Sequence, residues 1–322
     1  MELLENPLRI KVTGKCNREC SFCHKEGGMT SIDDLVYTER LGKIINALNV
    51  NLGIKSIAFT GGEPLMLSNL SNVISEINTN TNISKFSLTT NGTIFEEYEY
   101  WSRLFSLGLY KVNISMPDII DVEKYSPSAD YANDIFKCQS KTISILNRIG
   151  IETKINIVVF NDVLFTKNNL SRLFHFRDSL NSELVLLPNL TNQKSYEYSQ
   201  KIIDILRNDM RLKRIGARSR LGTSNTIEKY CDSDAGESSN IIFIKSTKMP
   251  DGQPFRLESL CGQCSFRKHC QEGFYGIRLE QIQHEYYIRL CIHKGNSTDV
   301  LMKFENFMES SVYKEIKTIW TD

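Results

Sequence analysis

The sequence predicts an α/β fold, a partial (β/α)6 barrel followed by a smaller C-terminal domain. Between residue 8 and about residue 190, short apolar runs typical of buried parallel strands alternate with segments of helical periodicity. Six such units favour a parallel sheet that is covered by helices. After about residue 215 the alternation stops, and four cysteines follow within residues 261–291. A doubly wound open sheet is the alternative that the same pattern allows.

Each predicted strand is a short run of apolar, often β-branched residues. The six runs are residues 8–12, 56–59, 85–88, 111–114, 154–159 and 184–187. Apolar residues at helical spacing mark three of the intervening helices. They are Leu41, Ile44, Ile45 and Leu48 in the first, Ile143, Leu146 and Ile149 in the second, and Leu170, Leu173 and Phe174 in the third.

The C-terminal part of the chain has a different character. Residues 222–240 are polar and rich in turn-forming residues, which predicts a loop or linker. Strands are expected at residues 241–244 and 286–290, and a final helix at residues 304–319. We therefore expect a barrel domain at residues 1–215 and an auxiliary domain at residues 216–322.

Composition is that of an ordinary globular protein without a strongly charged surface. Hydrophobic residues make up 41% and charged residues 24%, and the net charge is +1, so no overall field attracts nucleic acid or an anionic membrane. No apolar run approaches the roughly 20 residues that span a bilayer, and the first residues do not resemble a secretion signal. We expect a cytoplasmic protein with no membrane or nucleic-acid partner, in which the thiols stay reduced.

The first of two cysteine groups follows the first predicted strand. Cys16, Cys20 and Cys23 have the spacing C-x3-C-x2-C. Three thiolates on one loop can bind three irons of a [4Fe–4S] cube and leave the fourth iron open to a ligand. The alternative is a zinc site with His24 as the fourth ligand.

This cysteine loop, with Phe22 before its last cysteine, resembles the signature of the radical S-adenosylmethionine (SAM) superfamily. A second mark of that family, Gly-Gly-Glu after the second strand, occurs as Gly61, Gly62 and Glu63. Adjacent glycines let the backbone approach a ligand closely, and Glu63 supplies a carboxylate that can neutralise an ammonium group. The resemblance implies an enzyme that reduces SAM at a [4Fe–4S] cluster and releases a 5′-deoxyadenosyl radical. It also implies an external electron donor of the flavodoxin or ferredoxin type.

The same resemblance implies further SAM contacts at the ends of other strands. The Gly-Gly-Glu residues would bind the methionine part of SAM. Thr90 after strand three, Ser115 after strand four and Asn156 on strand five would donate or accept further hydrogen bonds. The alternative for each of these polar residues is a cap on a neighbouring backbone group.

The second cysteine group comprises Cys261, Cys264, Cys270 and Cys291. It resembles the auxiliary [4Fe–4S] cluster domain, or twitch domain, of the GTP-cyclising enzymes of molybdenum-cofactor biosynthesis, and this resemblance extends over nearly the whole chain. Three cysteine ligands would leave one iron open to substrate, whereas four would close the cluster. Cys270 in the same loop favours four ligands, and Cys231 is the alternative outside ligand. A structural zinc site is the alternative to a cluster.

Comparison with the GTP-cyclising family predicts a different substrate. Arg9 and Lys154 match basic residues of that family, but Ser56, Ala58 and Leu67 stand where phosphate-binding cations are expected. Each lost charge-assisted contact costs about 1.5–3 kcal/mol. We therefore expect a less phosphorylated small molecule, such as a nucleoside, sugar or amino-acid derivative of a specialised biosynthetic pathway. The alternatives are GTP cyclisation and modification of a ribosomal peptide that a separate recognition protein presents.

Four side chains are predicted to contact this small-molecule substrate. They are Arg9 and Lys154 in the barrel and Tyr275 and Arg278 in the auxiliary domain. The sequence leaves open which hydrogen is abstracted and whether SAM is consumed or regenerated.

Overall fold

The structure is a computed structural model that describes residues 2–24, 32–117, 129–159, 162–190, 192, 194–232, 241–249, 252–294 and 297–321. Thirteen strands of these residues form one continuous sheet that curls into a half-barrel. No helix in this part of the chain is both long enough and apolar enough to cross a lipid bilayer.

The elements are numbered in chain order. The strands are β1 Glu2–Leu4, β2 Leu8–Lys11, β3 Ile57–Thr60, β4 Phe86–Thr90, β5 Leu109–Ser115, β6 Glu152–Val159, β7 Glu183–Pro188, β8 Leu212–Arg220, β9 Thr226–Asp232, β10 Ile242–Ser246, β11 Arg278–Ile282, β12 Glu285–Arg289 and β13 Leu301–Lys303. The helices are α1 Glu39–Leu52, α2 Leu70–Asn80, α3 Tyr98–Ser106, α4 Ala129–Ile149, α5 Lys167–Leu180, α6 Ser195–Asp204, α7 Glu258–Cys261, α8 Phe304–Glu309 and α9 Ser311–Thr321.

The six predicted barrel strands are confirmed, with ends that differ by at most two residues. Strands β2 to β7 are parallel and lie side by side in chain order. A doubly wound sheet would reverse its strand order near the middle, so the partial barrel is the correct alternative.

Alternation along these strands gives the sheet an apolar and a polar face. On β2, Leu8 and Ile10 are fully buried among the residues of the hydrophobic core, to which α1 contributes its predicted apolar face. Arg9 and Lys11 point to the opposite face, because successive side chains of a strand alternate. On β6, Lys154 and Asn156 share that face through their register with β5. Since crossover helices cover one face of such a sheet, this second, polar face lines the barrel interior.

The sheet extends on both sides beyond the six predicted strands. β10 adds parallel to β7, followed by the antiparallel strands β9 and β8, and β1 pairs with β8. On the other side, β11 adds parallel to β2, and β12 and β13 follow antiparallel. The C-terminal part therefore continues the barrel sheet.

Two C-terminal predictions are corrected. The prediction of a loop over residues 222–240 is wrong at β9, because its residues pair with both β8 and β10; residues 233–240 lie outside the described residues. The predicted single final helix is two helices, α8 and α9. Ser310 between them is extended, and its hydroxyl accepts a hydrogen bond from Tyr313 N at 3.0 Å, which starts the new helix. The boundary predicted after residue 215 falls inside β8, and the division into two domains stays a prediction.

Candidate active site

The Gly-Gly-Glu motif binds the backbone of the first cysteine loop. Gly62 N donates to Thr13 O at 2.9 Å, and Glu63 N donates to Lys15 O at 2.7 Å. Gly61 has a φ of 146°, and a Cβ atom there would lie 2.5 Å from Thr13 O; a Cβ on Gly62 would lie 2.0 Å from Lys15 O. Both positions thus require glycine, because the loop that carries the cysteines lies directly against them. The sequence predicts that these two glycines contact a bound ligand. The structure shows in addition that they contact the backbone of the cysteine loop.

The three thiols of this loop are at least partly accessible to solvent. Cys16 and Cys23 are exposed and Cys20 is half-buried, and a turn joins Cys23 N to Cys20 O at 3.0 Å. Partial burial of its thiol is the main cause that raises the pKa of Cys16, and the negative charges of Glu63 and Cys23 add to it. Cys16, Cys23 and Glu63 are therefore close enough to interact through their charges.

Glu63 is held by the end of β4. Its side chain is 1% exposed. Thr90 Oγ1 donates to Oε1 at 2.6 Å, Leu65 N donates to the same oxygen at 3.1 Å, and Asn91 N donates to Oε2 at 2.6 Å. Burial raises the pKa of Glu63, and these three donors oppose the shift. Thr90, predicted as a SAM contact, thus orients the carboxylate in this structure.

Side-chain bonds also hold the cysteine loop from two sides. Asn91 Nδ2 donates to Asn17 Oδ1 at 2.9 Å, which joins the loop to the segment after β4. On the other side Asp34 accepts from Lys15 Nζ and from Thr13 Oγ1, each at 2.6 Å. These two donors hold the pKa of Asp34 below its ordinary value.

Ser115, the last residue of β5, and Asn156, in the middle of β6, are register partners, and both are half-buried. Sequence reasoning missed the residue that joins the end of β5 to the segment after β4, Gln139 of α4. Its Nε2 atom donates to Asn91 O at 2.7 Å and to Ser115 O at 3.3 Å. A signal existed in the sequence, because Gln139 interrupts the apolar stripe of α4 with a buried amide.

The second cysteine group converges. Cys261, Cys264, Cys270 and Cys291 all line one pocket. Burial and then the charges of the other three thiolates raise the pKa of Cys261 to about 11. Cys231, the alternative ligand, is buried on β9 opposite Lys213 and does not line this pocket.

Single-metal geometry does not occur in the described part of the chain. There, no three His, Cys, Asp or Glu side chains form a group that could hold one metal ion. Each cysteine of a [4Fe–4S] cube binds a different iron, so its ligands stand farther apart than those of one tetrahedral zinc. The four thiols of the second group share one pocket and interact through their charges.

Cations converge on one aromatic ring inside the barrel. Lys245 Nζ lies 4.6 Å from the ring centroid of Tyr275, and the guanidinium carbons of Arg278 and Arg9 lie 5.5 and 5.8 Å from it. Lys245 also donates a hydrogen bond to the Tyr275 hydroxyl. Three of the predicted substrate contacts, Arg9, Tyr275 and Arg278, are thus brought together.

The fourth predicted contact, Lys154, lies in a neighbouring charged group. It forms ion pairs with Glu183 and, at 3.3 Å, with Glu152, and its ammonium lies 5.5 Å from the centroid of the Phe243 ring. Lys245 was not predicted from the sequence. Its contact with Tyr275 joins residues 30 positions apart, so no local sequence pattern indicates it.

Comparisons with known proteins match the barrel part of the chain. Residues 10–165 match the Radical SAM superfamily. A probable GTP 3′,8-cyclase of Methanococcus maripaludis is 39% identical over 117 residues, which are 36% of this chain and 38% of that protein. A probable GTP 3′,8-cyclase of Archaeoglobus fulgidus is 34% identical over 175 residues, which are 54% of this chain and 55% of that protein.

These matches span about half or less of the curated relatives, and less of this chain than the resemblance in its motifs suggested. Among solved structures, a histidine-tagged form of anSMEcpe with bound AdoMet superimposes on 97% of this chain and 82% of its own, with a TM-score of 0.57 and 17% identity. At that identity the likeness shows the fold alone. The sequence match therefore identifies a radical SAM domain at residues 10–165 of this chain.

Proposed function

We propose that this chain is a radical SAM enzyme that acts on a small anionic molecule bound inside the barrel. A [4Fe–4S] cluster and SAM are the cofactors of the superfamily, and Cys16, Cys20 and Cys23 would hold the cluster. When bound and reduced, this cluster supplies the electron that cleaves SAM to a 5′-deoxyadenosyl radical.

The residues around Glu63 would bind and orient SAM. A carboxylate has about four acceptor sites, and Oε2 of Glu63 receives one hydrogen bond from Asn91 N. It retains capacity for the ammonium group of SAM. Because Thr90 and Asn91 fix both carboxylate oxygens, little orientation entropy is lost when SAM binds. Ser115 and Asn156, register partners on β5 and β6, would contact the rest of the cofactor.

The cations around Tyr275 carry the proposal of an anionic substrate. Arg9, Lys245 and Arg278 share one aromatic ring; Arg278 is only 1% exposed and forms an ion pair with the buried Glu272 at 3.3 Å, which offsets one of the three charges. Like charges close together in a poorly solvated site repel one another, and a bound anion relieves that repulsion. A phosphate or carboxylate of the substrate is the group that fits.

GTP is the first substrate to test. The curated relatives are named GTP 3′,8-cyclases, so the comparisons favour this alternative over the predicted less phosphorylated molecule. Ser56, Ala58 and Leu67 stand where the GTP-cyclising family carries phosphate-binding cations, and for this reason the sequence favoured a less phosphorylated substrate. Lys245 supplies one positive charge from a different strand, β10.

The test is SAM cleavage by the anaerobically reconstituted full chain with dithionite or a flavodoxin-type donor. We expect 5′-deoxyadenosine formation that GTP stimulates. Lys245→Met should weaken GTP binding about 10- to 150-fold, since a charge-assisted contact is worth about 1.5–3 kcal/mol. SAM binding should not change, and Arg40→Met, at an exposed ion pair with Glu285, is the control.

If GTP, other nucleotides and sugar phosphates all fail to bind, or if Lys245→Met binds them normally, the anionic substrate is wrong. If no 5′-deoxyadenosine forms under any condition, the radical chemistry itself is wrong.

A further inference from the structure

We propose that the second cysteine site holds a [4Fe–4S] cluster in which cysteines bind all four irons, so that no iron is open to substrate. The inference rests on the proposed function for the presence of an iron–sulfur cluster there. The ligands are Cys261, Cys264, Cys270 and Cys291. Such a cluster would transfer electrons or support the fold, and the substrate would be held by the cations around Tyr275.

The position of Cys270 is the first support. It lines the same pocket as the three other cysteines. Cys270 is therefore as much a member of this group as the cysteines of the C-x2-C pair.

The hydrogen bonds to sulfur are the second support. Gly273 N donates to Cys270 Sγ at 3.2 Å, and His293 N donates to Cys291 Sγ at 3.3 Å. Backbone N–H groups that point at cysteine sulfur are among the features that tune iron–sulfur clusters. Cys270 and Cys291 thus each accept a backbone N–H hydrogen bond, from the residue three positions later in the first case and two positions later in the second.

The turn that holds Cys270 requires a glycine. Gly273 has a φ of 68°, and a Cβ atom there would lie 2.2 Å from Phe255 O and 2.5 Å from Ser224 Oγ. The segment is also fastened by Thr247, whose hydroxyl donates a hydrogen bond to Gln271 O. This packing fixes the direction of the Cys270 thiol toward the pocket.

The charges around the pocket suit four thiolates. Arg256, Arg267 and Lys294 also line it, and Arg267 pairs with Glu258 and Lys294 with Asp299. Thiolate is the form that binds iron. Four thiolates around a cluster core of charge +2 leave an overall charge of −2, which these cations balance in part.

The experiment isolates the second site by Cys16→Ala, Cys20→Ala and Cys23→Ala in one full-length chain, reconstituted anaerobically with ⁵⁷Fe. We expect about four irons per chain. Mössbauer spectra should show no distinct iron, and the reduced cluster should show no nitrogen coupling in pulsed EPR when ¹⁵N-imidazole or ¹⁵N-GTP is added.

Adding Cys270→Ala should remove one iron of the four or expose one iron to ¹⁵N-imidazole. Cys270→Ser, which keeps an oxygen ligand, should retain four irons with a shifted EPR signal. Cys231→Ala is the matched control, since it removes the alternative cysteine, and it should change neither measurement.

Nitrogen coupling in the parent, or unchanged iron content and spectra in Cys270→Ala, would overturn the closed cluster. Stoichiometric zinc with no iron would overturn the cluster itself. These measurements do not involve SAM cleavage, so failure of the proposed radical chemistry is seen separately.

Discussion

Lys111 and Lys154 are two lysines on the interior face of neighbouring strands, held together by glutamates. Lys111 Nζ lies 3.0 Å from Glu152 Oε1, and Lys154 shares that carboxylate and also binds Glu183. Burial lowers the pKa of Lys111 to about 8, and the charge of Lys154 adds to this, while Glu152 opposes it. Burial acts against the charge of Lys154 too, but Glu183 and Glu152 together outweigh it, so the pKa of Lys154 is raised.

This arrangement predicts a pH dependence of stability. Lys111 has a lower pKa in the folded than in the unfolded chain, so between about 8 and 10.5 the unfolded chain binds more protons. The contribution of Lys111 therefore rises with pH across that window and is least favourable below pH 8. We expect Lys111→Met to stabilise the protein more at pH 7.5 than at pH 9.5, as measured by anaerobic urea denaturation.

The control for this prediction is Lys43→Met, which removes an exposed lysine paired with Glu39 on α1. Its effect should be small and nearly the same at both pH values. Equal effects of Lys111→Met at both pH values would show that Lys111 titrates normally.

At the scale of the element, the C-terminal helix caps the short helix that carries the second cysteine site. Glu315 of α9 accepts from Glu258 N at 2.8 Å and from Ser259 N at 2.9 Å, the first two residues of α7. Cys261 is the last residue of that helix. Because the four residues of α7 have few bonds of their own, this cap determines how the thiol is presented.

Glu315→Ala should remove the cap at a cost of about 1 kcal/mol and reduce filling of the second site more than of the first. The measurement is iron per chain after reconstitution, with and without the Cys16, Cys20 and Cys23 substitutions. Lys317→Ala on the exposed face of the same helix is the control. Normal iron content in Glu315→Ala would show that α7 forms without its cap.

At the scale of the whole molecule, a buried ion-pair network joins the C-terminal strands to the barrel. Arg289 of β12 donates to both oxygens of Glu280 on β11, at 2.6 and 3.0 Å, and Lys11 of β2 lies 3.4 Å from the same carboxylate. Arg289 and Glu280 are fully buried. These charged side chains therefore lie where β11 pairs with β2 and continues the barrel sheet.

Glu280→Gln should destabilise the protein strongly, by about 3–5 kcal/mol, because two buried cations lose their carboxylate. Glu285→Gln, which removes an exposed partner of Arg40, should cost less than about 1 kcal/mol. Chemical denaturation measures both changes. If the two variants unfold alike, the C-terminal strands do not depend on this network.

Local patterns were sufficient for much of the fold and of the cofactor site. The six barrel strands and the helices α1, α4 and α5 followed from apolar periodicity, which depends only on near neighbours. Cys16, Cys20, Cys23 and Glu63 followed from short motifs, whose spacing sets the chemistry directly. Strand β9 was missed because its pairing with β8 and β10, and not an apolar run, makes it a strand.

Contacts between distant residues were decided by the tertiary structure alone. Gln139 reaches Asn91 from 48 positions away, and Lys245 and Arg9 meet at Tyr275 only because the sheet curls and brings β10 and β2 to one ring. Cys270 and Cys291 share a pocket through the turn at Gly273 and the end of β12. The sequence by itself determined which chemical groups this protein carries. Which of them meet depends on strand register and chain curvature, and no local pattern records either.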